Sequence, residues 1–138
     1  MDIKVRFGET DMLGHINNTS YFKYMEETRI EFLQTWGADF RSGQFTFILA
    51  SAKCDFIRQG YFGQTLEVDT KVVKIGRTSV TLSTEMVEKE SGDMIAKGEA
   101  TVVYFDVRKQ KPTVIPERMK SNIEADSQGG ERDECTFS

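Results

Sequence analysis

The apolar side chains of this chain change their spacing once, from a helical period to a period of two, and this change limits the possible folds. Residues 19–36 carry two adjoining stripes at helical spacing, which are Phe22, Met25, Arg29, Leu33 and Trp36, and Tyr21, Met25, Thr28 and Phe32. From residue 45 to residue 107, apolar and polar side chains alternate instead, as in strands with one buried face. The chain therefore combines one long helix with several strands.

The connections between the predicted strands are too short to hold crossover helices. The strand patterns cover residues 2–7, 45–57, 66–72, 80–86 and 94–107. Glycine-containing turns join the later strands, around residues 60–63, 75–77 and 91–93. Strands joined in this way pair mainly antiparallel, so we expect an α+β fold in which one long helix lies against a curved antiparallel sheet.

Length and charge divide the chain into a body, residues 1–123, and a tail, residues 124–138. A chain of 138 residues predicts one domain, which we place at residues 1–123 and which ends in a short helix over 116–123. Residues 124–138 are acidic and are predicted to be a disordered tail. The tail supplies the whole net charge of −4, because the body carries 17 acidic and 17 basic side chains. This balance argues against nucleic acid as a partner.

The cysteine and histidine content excludes several kinds of site. Cys54 and Cys135 form no Cys-x-x-Cys pair, which argues against a zinc ribbon or a thioredoxin motif. Because His15 is the single histidine, a multi-histidine metal site cannot be built from one chain, and we expect no metal. The sequence has no apolar signal-peptide core and no run of 18 apolar residues, so we expect a cytoplasmic protein without a membrane partner.

The loop before the helix concentrates side chains that can carry chemistry, namely Glu9, Asp11, His15, Asn17 and Asn18. A helix N-terminus presents free N–H groups and favours negative charge, so a carboxylate beside it can attack a carbonyl or activate water while the amides hold the oxyanion. The alternative is that Asp11 and the two asparagines only cap the turns and the helix. From the residues alone, both interpretations stay open.

Two segments carry a resemblance to a known family. VRFGETDMLGHINNTSYFKYMEETRIEF (5–32) resembles the opening signature of the hotdog-fold acyl-CoA thioesterases of the 4-hydroxybenzoyl-CoA thioesterase type. DFIRQGYFGQTLEVDTKVVKIGRTSVTL (55–82) resembles a later strand region of the same family, and the likeness covers about residues 3–107. The resemblance implies a hotdog fold, with a five-stranded antiparallel sheet wrapped around the helix. It also implies a homodimer or homotetramer with active sites at the dimer interface.

The resemblance assigns roles in the loop. It implies that Asp11 is the catalytic carboxylate, as nucleophile or general base, and that amides around Asn17 and Asn18 polarise the thioester carbonyl. His15 either orients water or substrate, or serves only the architecture of the loop, and Glu9 is expected to be a structural hydrogen-bond partner. Some relatives have a histidine at the position of Asn18 and a tyrosine at that of Phe7, so mechanisms that need those side chains are in doubt here.

The resemblance also suggests residues that bind the substrate. Lys74 and Arg77 match the family motif in the KIGRTS turn and are candidates for the phosphates of coenzyme A, and Arg58 is a further basic candidate without motif support. Tyr21 and Phe56, with Met25 and Phe47, are candidates to line an acyl pocket. Coenzyme A enters only as part of the substrate, and no other cofactor is expected. Cys54 is expected to be a packing residue.

The main prediction is an acyl-CoA thioesterase that releases a free acid and coenzyme A. The alternative is a non-catalytic hotdog module that binds acyl-CoA or a fatty ligand, for which no carboxylate at the helix start is needed. A hotdog dehydratase is a third possibility, but it needs an Asp/His pair suited to hydration. Release of free thiol from a panel of acyl-CoAs separates hydrolysis from binding.

Overall fold

The long helix and the main strands follow the predicted order along the chain. The structure is a computed structural model that describes residues 1–37 and 43–132. Its elements are β1 (Asp2–Lys4), α1 (Asn18–Thr35), β2 (Phe45–Phe56), β3 (Thr65–Ile75), β4 (Ser79–Glu88), β5 (Met94–Asp106), β6 (Lys111–Pro112) and α2 (Glu117–Arg132). The first strand is shorter than predicted, because a short 3₁₀ turn over Phe7–Glu9 follows it.

The strands form one sheet in the order β1-β3-β4-β5-β2, and β6 pairs with β5. β1 runs antiparallel to β3 with Ile3 opposite Leu66, and β6 runs antiparallel to β5 with Pro112 opposite Phe105. The two-residue β6 was not predicted, and it adds to the five strands that the sequence indicates. β2 lies at the end of this order, so within residues 1–37 and 43–132 its outer backbone edge has no neighbouring strand.

The first of two compact units comprises Met1–Arg29, Lys53–Thr70 and Ser83–Glu99. Inside it, α1 packs closely on β5, since a Cβ added at Gly98 would lie 2.5 Å from the Sδ atom of Met25. A chain of hydroxyl groups also links the helix to the sheet. Thr70 Oγ1 donates to Thr28 Oγ1 at 2.9 Å and lies 2.9 Å from Thr84 Oγ1.

The second unit comprises Ile30–Ala52, Lys71–Leu82 and the chain from Ala100 onward. Its core consists of Leu33, Trp36, Phe47, Val72, Val80, Leu82, Val102, Tyr104, Ile115 and Ile123. Trp36 Nε1 donates to Asp126 Oδ2 at 2.6 Å, which fixes α2 to the end of α1. Phe47 is buried in this core and Met25 is buried in the first unit, and their place in an acyl pocket stays a prediction.

Two local predictions differ from the structure. Phe22 was placed on the buried stripe of the helix but is 37% exposed, whereas Tyr24, which lay outside both stripes, is fully buried. The second helix is longer than the short helix predicted over 116–123, because α2 continues to Arg132 and Asp126 is bonded to Trp36. Residues 133–138, including Cys135, lie outside the described residues. The division into one domain of 1–123 and a tail stays a prediction.

Candidate functional site

The Asp11 carboxylate is fixed by the backbone of its own turn. Asp11 Oδ1 accepts hydrogen bonds from the N–H of Leu13 at 2.9 Å and of His15 at 3.0 Å. The Asp11 N–H donates to the His15 carbonyl at 2.8 Å, and the positive φ of Gly14 closes the turn. Within the described chain, Asp11 Oδ2 accepts no hydrogen bond. The exposed carboxylate is therefore held in place by one oxygen, and the other oxygen is free to bind a ligand or water.

The start of α1 is anchored to the same loop. The Asn17 N–H and the Ser20 hydroxyl both donate to the Glu9 carbonyl, at 2.9 and 3.0 Å, and the Ser20 N–H donates to the Asn17 carbonyl. The N–H groups of Asn18 and Thr19 belong to the first helical turn, which has no intrahelical acceptors for them. In the part of the chain that the structure describes, neither group donates to another acceptor. Two amide donors at the positive end of the helix dipole are thus unpaired.

Glu9 has a structural position, as the sequence suggested. Its carboxylate accepts from the backbone and side chain of Arg6 and, at Oε1, from the Tyr24 hydroxyl at 2.9 Å. Burial raises the pKa of Glu9, but the hydrogen bonds from Arg6 and Tyr24 outweigh this effect and leave the pKa below its usual value. Glu9 is therefore ionised and connects the loop to the helix, and its hydrogen bonds are made to other residues of this chain.

His15 packs against the connection between β2 and β3. Residues 14–16 pair with residues 60–62, since the Ile16 N–H donates to the Gly60 carbonyl and the Phe62 N–H donates to the Gly14 carbonyl, both at 2.9 Å. The imidazole meets the Tyr61 ring edge to face at 5.0 Å. Its ring nitrogens make no hydrogen bond within the described residues. The imidazole thus packs on the Tyr61 ring, and among the described residues neither of its nitrogens is bonded to the Asp11 carboxylate.

The predicted catalytic residues line one open depression of about 330 Å³. Its walls are formed by Asp11, His15, Ile16, Asn17, Asn18, Thr19 and Gln59. The sequence therefore identified Asp11, His15, Asn17 and Asn18 as neighbours correctly, although their roles stay predictions. Gln59 was missed, because nothing in the sequence near it indicates that the pairing of residues 14–16 with 60–62 brings it to this place.

A second, smaller depression of about 180 Å³ adjoins the first. Its lining is Ile16, Asn18, Tyr21, Phe56, Ile57, Arg58 and Gln59. Tyr21 and Phe56, the predicted acyl-binding residues, lie with ring centroids 5.2 Å apart. Burial raises the pKa of Tyr21, and a hydrogen bond with the Gly60 backbone opposes this rise. The Tyr21 hydroxyl is thus engaged by the backbone, and the ring is its contribution to the depression.

Lys74 and Arg77 lie outside both depressions. Lys74 is an exposed residue of β3, and Arg77 is exposed in the turn that leads to β4. The basic side chain that lines the smaller depression is Arg58, for which the sequence offered no motif. The prediction that Lys74 and Arg77 bind coenzyme A stays a prediction.

The Cys54 thiol is a poor nucleophile, and the described acidic residues form no metal site. Burial, reinforced by the neighbouring charge of Asp55, raises the pKa of the Cys54 thiol to about 11, which disfavours the nucleophilic thiolate. Among the described residues, no three His, Cys, Asp or Glu side chains are placed to hold a metal ion. In the same residues, neither helix combines the length and apolar character needed to cross a membrane.

Known proteins are similar to this chain in both sequence and fold. Residues 5–123 match the model of the thioesterase-like superfamily. The Bacillus subtilis protein YsmA is 38% identical over 80 residues, which are 58% of this chain and 54% of that protein. The Helicobacter pylori acyl-CoA thioesterase YbgC is 29% identical over 86 residues, 62% of this chain and 65% of that protein. In both comparisons the chain spans less than two thirds of the relative's own length.

A solved structure extends the comparison over nearly the whole chain. A thioesterase from Thermus thermophilus, complexed with coenzyme A and Zn, superimposes with a TM-score of 0.79 at 28% identity, covering 93% of each chain. Together with the antiparallel sheet and long helix described above, this similarity confirms the predicted α+β hotdog fold. With 5–123 inside the family model, the chain belongs to the thioesterase-like superfamily.

Proposed function

We propose that this chain is an acyl-CoA thioesterase in which Asp11 is the nucleophile or general base. One observation carries the proposal. The free oxygen of the Asp11 carboxylate and the unpaired amides of Asn18 and Thr19 belong to residues that line the same depression. A carboxylate can activate water or attack a carbonyl carbon, and paired amide donors stabilise the oxyanion that results.

The chemistry needs no further group. As general base, Asp11 takes a proton from water while the water oxygen bonds to the acyl carbon, and the amides hold the oxyanion. Collapse of this intermediate breaks the C–S bond, and the departing thiolate of coenzyme A takes up the proton. As nucleophile, Asp11 instead attacks the acyl carbon, the C–S bond breaks to release the thiolate of coenzyme A, and water hydrolyses the resulting mixed anhydride to the free acid and the Asp11 carboxylate. A thiolate leaves without strong acid assistance, so one carboxylate suffices in either case.

The relatives support acyl-CoA as the substrate. The Helicobacter pylori relative is named an acyl-CoA thioesterase, and the Thermus thermophilus structure holds coenzyme A. Coenzyme A enters this proposal as part of the substrate, with no other cofactor. The free Cys54 thiol agrees with the proposed cytoplasmic location, where thiols are kept reduced.

The edge strand β2 supports assembly into a homodimer or homotetramer. β2 ends the sheet order, and its residues are exposed on both faces. Ile48 and Leu49 are 39% and 48% exposed, and Phe56 is 45% exposed. A long apolar edge of this kind is a template for pairing with another chain. Since Phe56 also lines the smaller depression, a second copy paired along β2 would approach the site, as the resemblance implies.

The test is Asp11→Asn, assayed by thiol release from a panel of acyl-CoAs. Asparagine keeps the Oδ1 acceptor for the Leu13 and His15 amides, so the turn is retained while the basic, nucleophilic oxygen is lost. We expect a loss in kcat of about 10²-fold or more, at unchanged thermal stability. Asp69→Asn, at an exposed carboxylate on β3, is the matched control and is expected to keep full activity.

Two outcomes count against the proposal. Near-normal turnover by Asp11→Asn removes Asp11 from the mechanism. Measurable affinity for acyl-CoA without thiol release from any member of the panel favours the non-catalytic binding module instead.

A further inference from the structure

The smaller depression is lined by two chemically different sets of side chains. Ile16, Tyr21, Phe56 and Ile57 are apolar and are called the apolar wall, and Asn18, Arg58 and Gln59 are polar and are called the polar wall. Asn18 and Gln59 also line the depression that holds Asp11, so the two depressions adjoin. If the thioester lies at Asp11, as in the proposed function on which this inference rests, the acyl group extends along these two walls.

The polar wall offers hydrogen-bond donors that no described part of the chain uses. Within the described residues, the side chains of Asn18, Arg58 and Gln59 make no hydrogen bond and no ion pair. The backbone beneath them is fixed, because the N–H groups of Ile57 and Arg58 both donate to the Ile95 carbonyl, at 2.9 and 3.1 Å. The wall is therefore held in place while its side chains stay available to a ligand.

The donor chemistry of this wall favours an anionic oxygen group. Arg58 is the one charged side chain that lines the smaller depression. A guanidinium has only donors, and its planar fork matches a carboxylate. The amides of Asn18 and Gln59 add further N–H donors beside it. Asp11, whose negative charge would repel an anion, lines the neighbouring depression and not this one.

The depression is open, with a volume of about 180 Å³, and it adjoins the depression that holds Asp11. The far end of a short acyl group whose thioester lies at Asp11 therefore meets the polar wall. We propose that the polar wall of Asn18, Arg58 and Gln59 selects short acyl groups that end in a carboxylate, with Arg58 as the residue that determines this specificity.

The test compares glutaryl-CoA with pentanoyl-CoA, which share a five-carbon acyl chain and differ only in the terminal carboxylate. The wild-type protein is expected to hydrolyse glutaryl-CoA with a kcat/KM about tenfold or more above that for pentanoyl-CoA, the gain expected for hydrogen bonds to a charged group. Arg58→Met is expected to remove this preference, by lowering the kcat/KM for glutaryl-CoA about tenfold or more relative to that for pentanoyl-CoA. Arg58→Lys, which keeps the charge but loses the fork, is expected to be intermediate.

Lys111→Met is the matched control, since it removes one positive charge from an exposed strand residue outside both depressions. It is expected to leave both substrates unchanged. A wild-type protein that hydrolyses pentanoyl-CoA as well as glutaryl-CoA overturns the inference but leaves the proposed function intact. An equal loss on both substrates in Arg58→Met also overturns it, because the guanidinium then contacts a part of the substrate that all acyl-CoAs share. Absence of thiol release from every acyl-CoA tested defeats the proposed function itself.

Discussion

The Tyr24 hydroxyl donates a hydrogen bond of 2.9 Å to Glu9 Oε1 and so ties the middle of α1 to the loop that carries Asp11. Tyr24 is fully buried, and burial, followed by the Glu9 contact, raises the pKa of its hydroxyl. Glu9 in turn holds the start of α1 through its backbone carbonyl. Glu9 therefore connects both the start and the middle of α1 to the loop that carries Asp11.

Tyr24→Phe is expected to lower the free energy of unfolding by about 2 kcal/mol, because it removes a hydrogen bond to a charged group inside the protein. Denaturant unfolding at neutral pH measures the change. Tyr104→Phe is the matched control, since the Tyr104 hydroxyl makes no hydrogen bond within the described residues. Equal stability losses in the two variants would mean that the Glu9 contact contributes nothing beyond the packing of the ring.

The lowered pKa of Glu9 predicts that the stability of the fold decreases at acid pH. Its pKa is lower in the folded chain than its ordinary value, so ionisation of Glu9 stabilises the fold above the unfolded pKa of about 4.3. This contribution is lost as the pH falls through the folded value. We expect the stability difference between the wild type and Glu9→Gln to be largest at pH 7 and to shrink below about pH 4, measured by urea unfolding at several pH values. Glu99→Gln, at an exposed carboxylate on β5, is expected to show no such trend; a pH-independent difference for Glu9→Gln contradicts the assignment.

The parts of the structure that sequence predicted well are continuous in the chain. The helix bounds differ by one residue at each end, because its apolar stripes run for several turns without interruption. The loop around Asp11 was also predictable, since the carboxylate, the glycine of its turn and the helix start lie within a few residues of each other. These parts are predictable because their contacts join residues close in sequence or because their apolar pattern is strongly periodic.

The parts that sequence missed depend on contacts between distant residues. Gln59 reaches the site only because residues 14–16 pair with residues 60–62. The length of α2 depends in the same way on Asp126, which accepts from Trp36 far earlier in the chain. Composition made residues 124–132 look unable to pack, and a single tertiary hydrogen bond cannot be read from composition.

Gly98 is expected to be intolerant of a side chain. A Cβ there would lie 2.5 Å from Sδ and 2.6 Å from Cε of Met25, which is itself buried. We expect Gly98→Ala to destabilise the protein by about 1–3 kcal/mol through overpacking. In combination with Met25→Ala, the added methyl group has space, so the double variant should lose less stability than the sum of the single changes. Gly8→Ala, where a Cβ would meet nothing within 4 Å, is the control; additive losses contradict the proposed contact.

Gly60 links the packing of the site to its activity. A Cβ at this position would lie 2.3 Å from Cδ1 of Ile16 and 3.2 Å from the Tyr21 hydroxyl, and both residues line the smaller depression. We expect Gly60→Ala to displace them and to lower kcat/KM for pentanoyl-CoA by about 10-fold or more, since small displacements at a reacting site are costly. Ile16→Val deletes the atom that clashes most closely, so the double variant Gly60→Ala/Ile16→Val is expected to recover most of the activity relative to Ile16→Val alone.

Thiol release gives the rate, and thermal unfolding checks that each variant is folded. If the double variant is as impaired as Gly60→Ala, the loss arises from the backbone of the β2–β3 connection and not from the contact with Ile16.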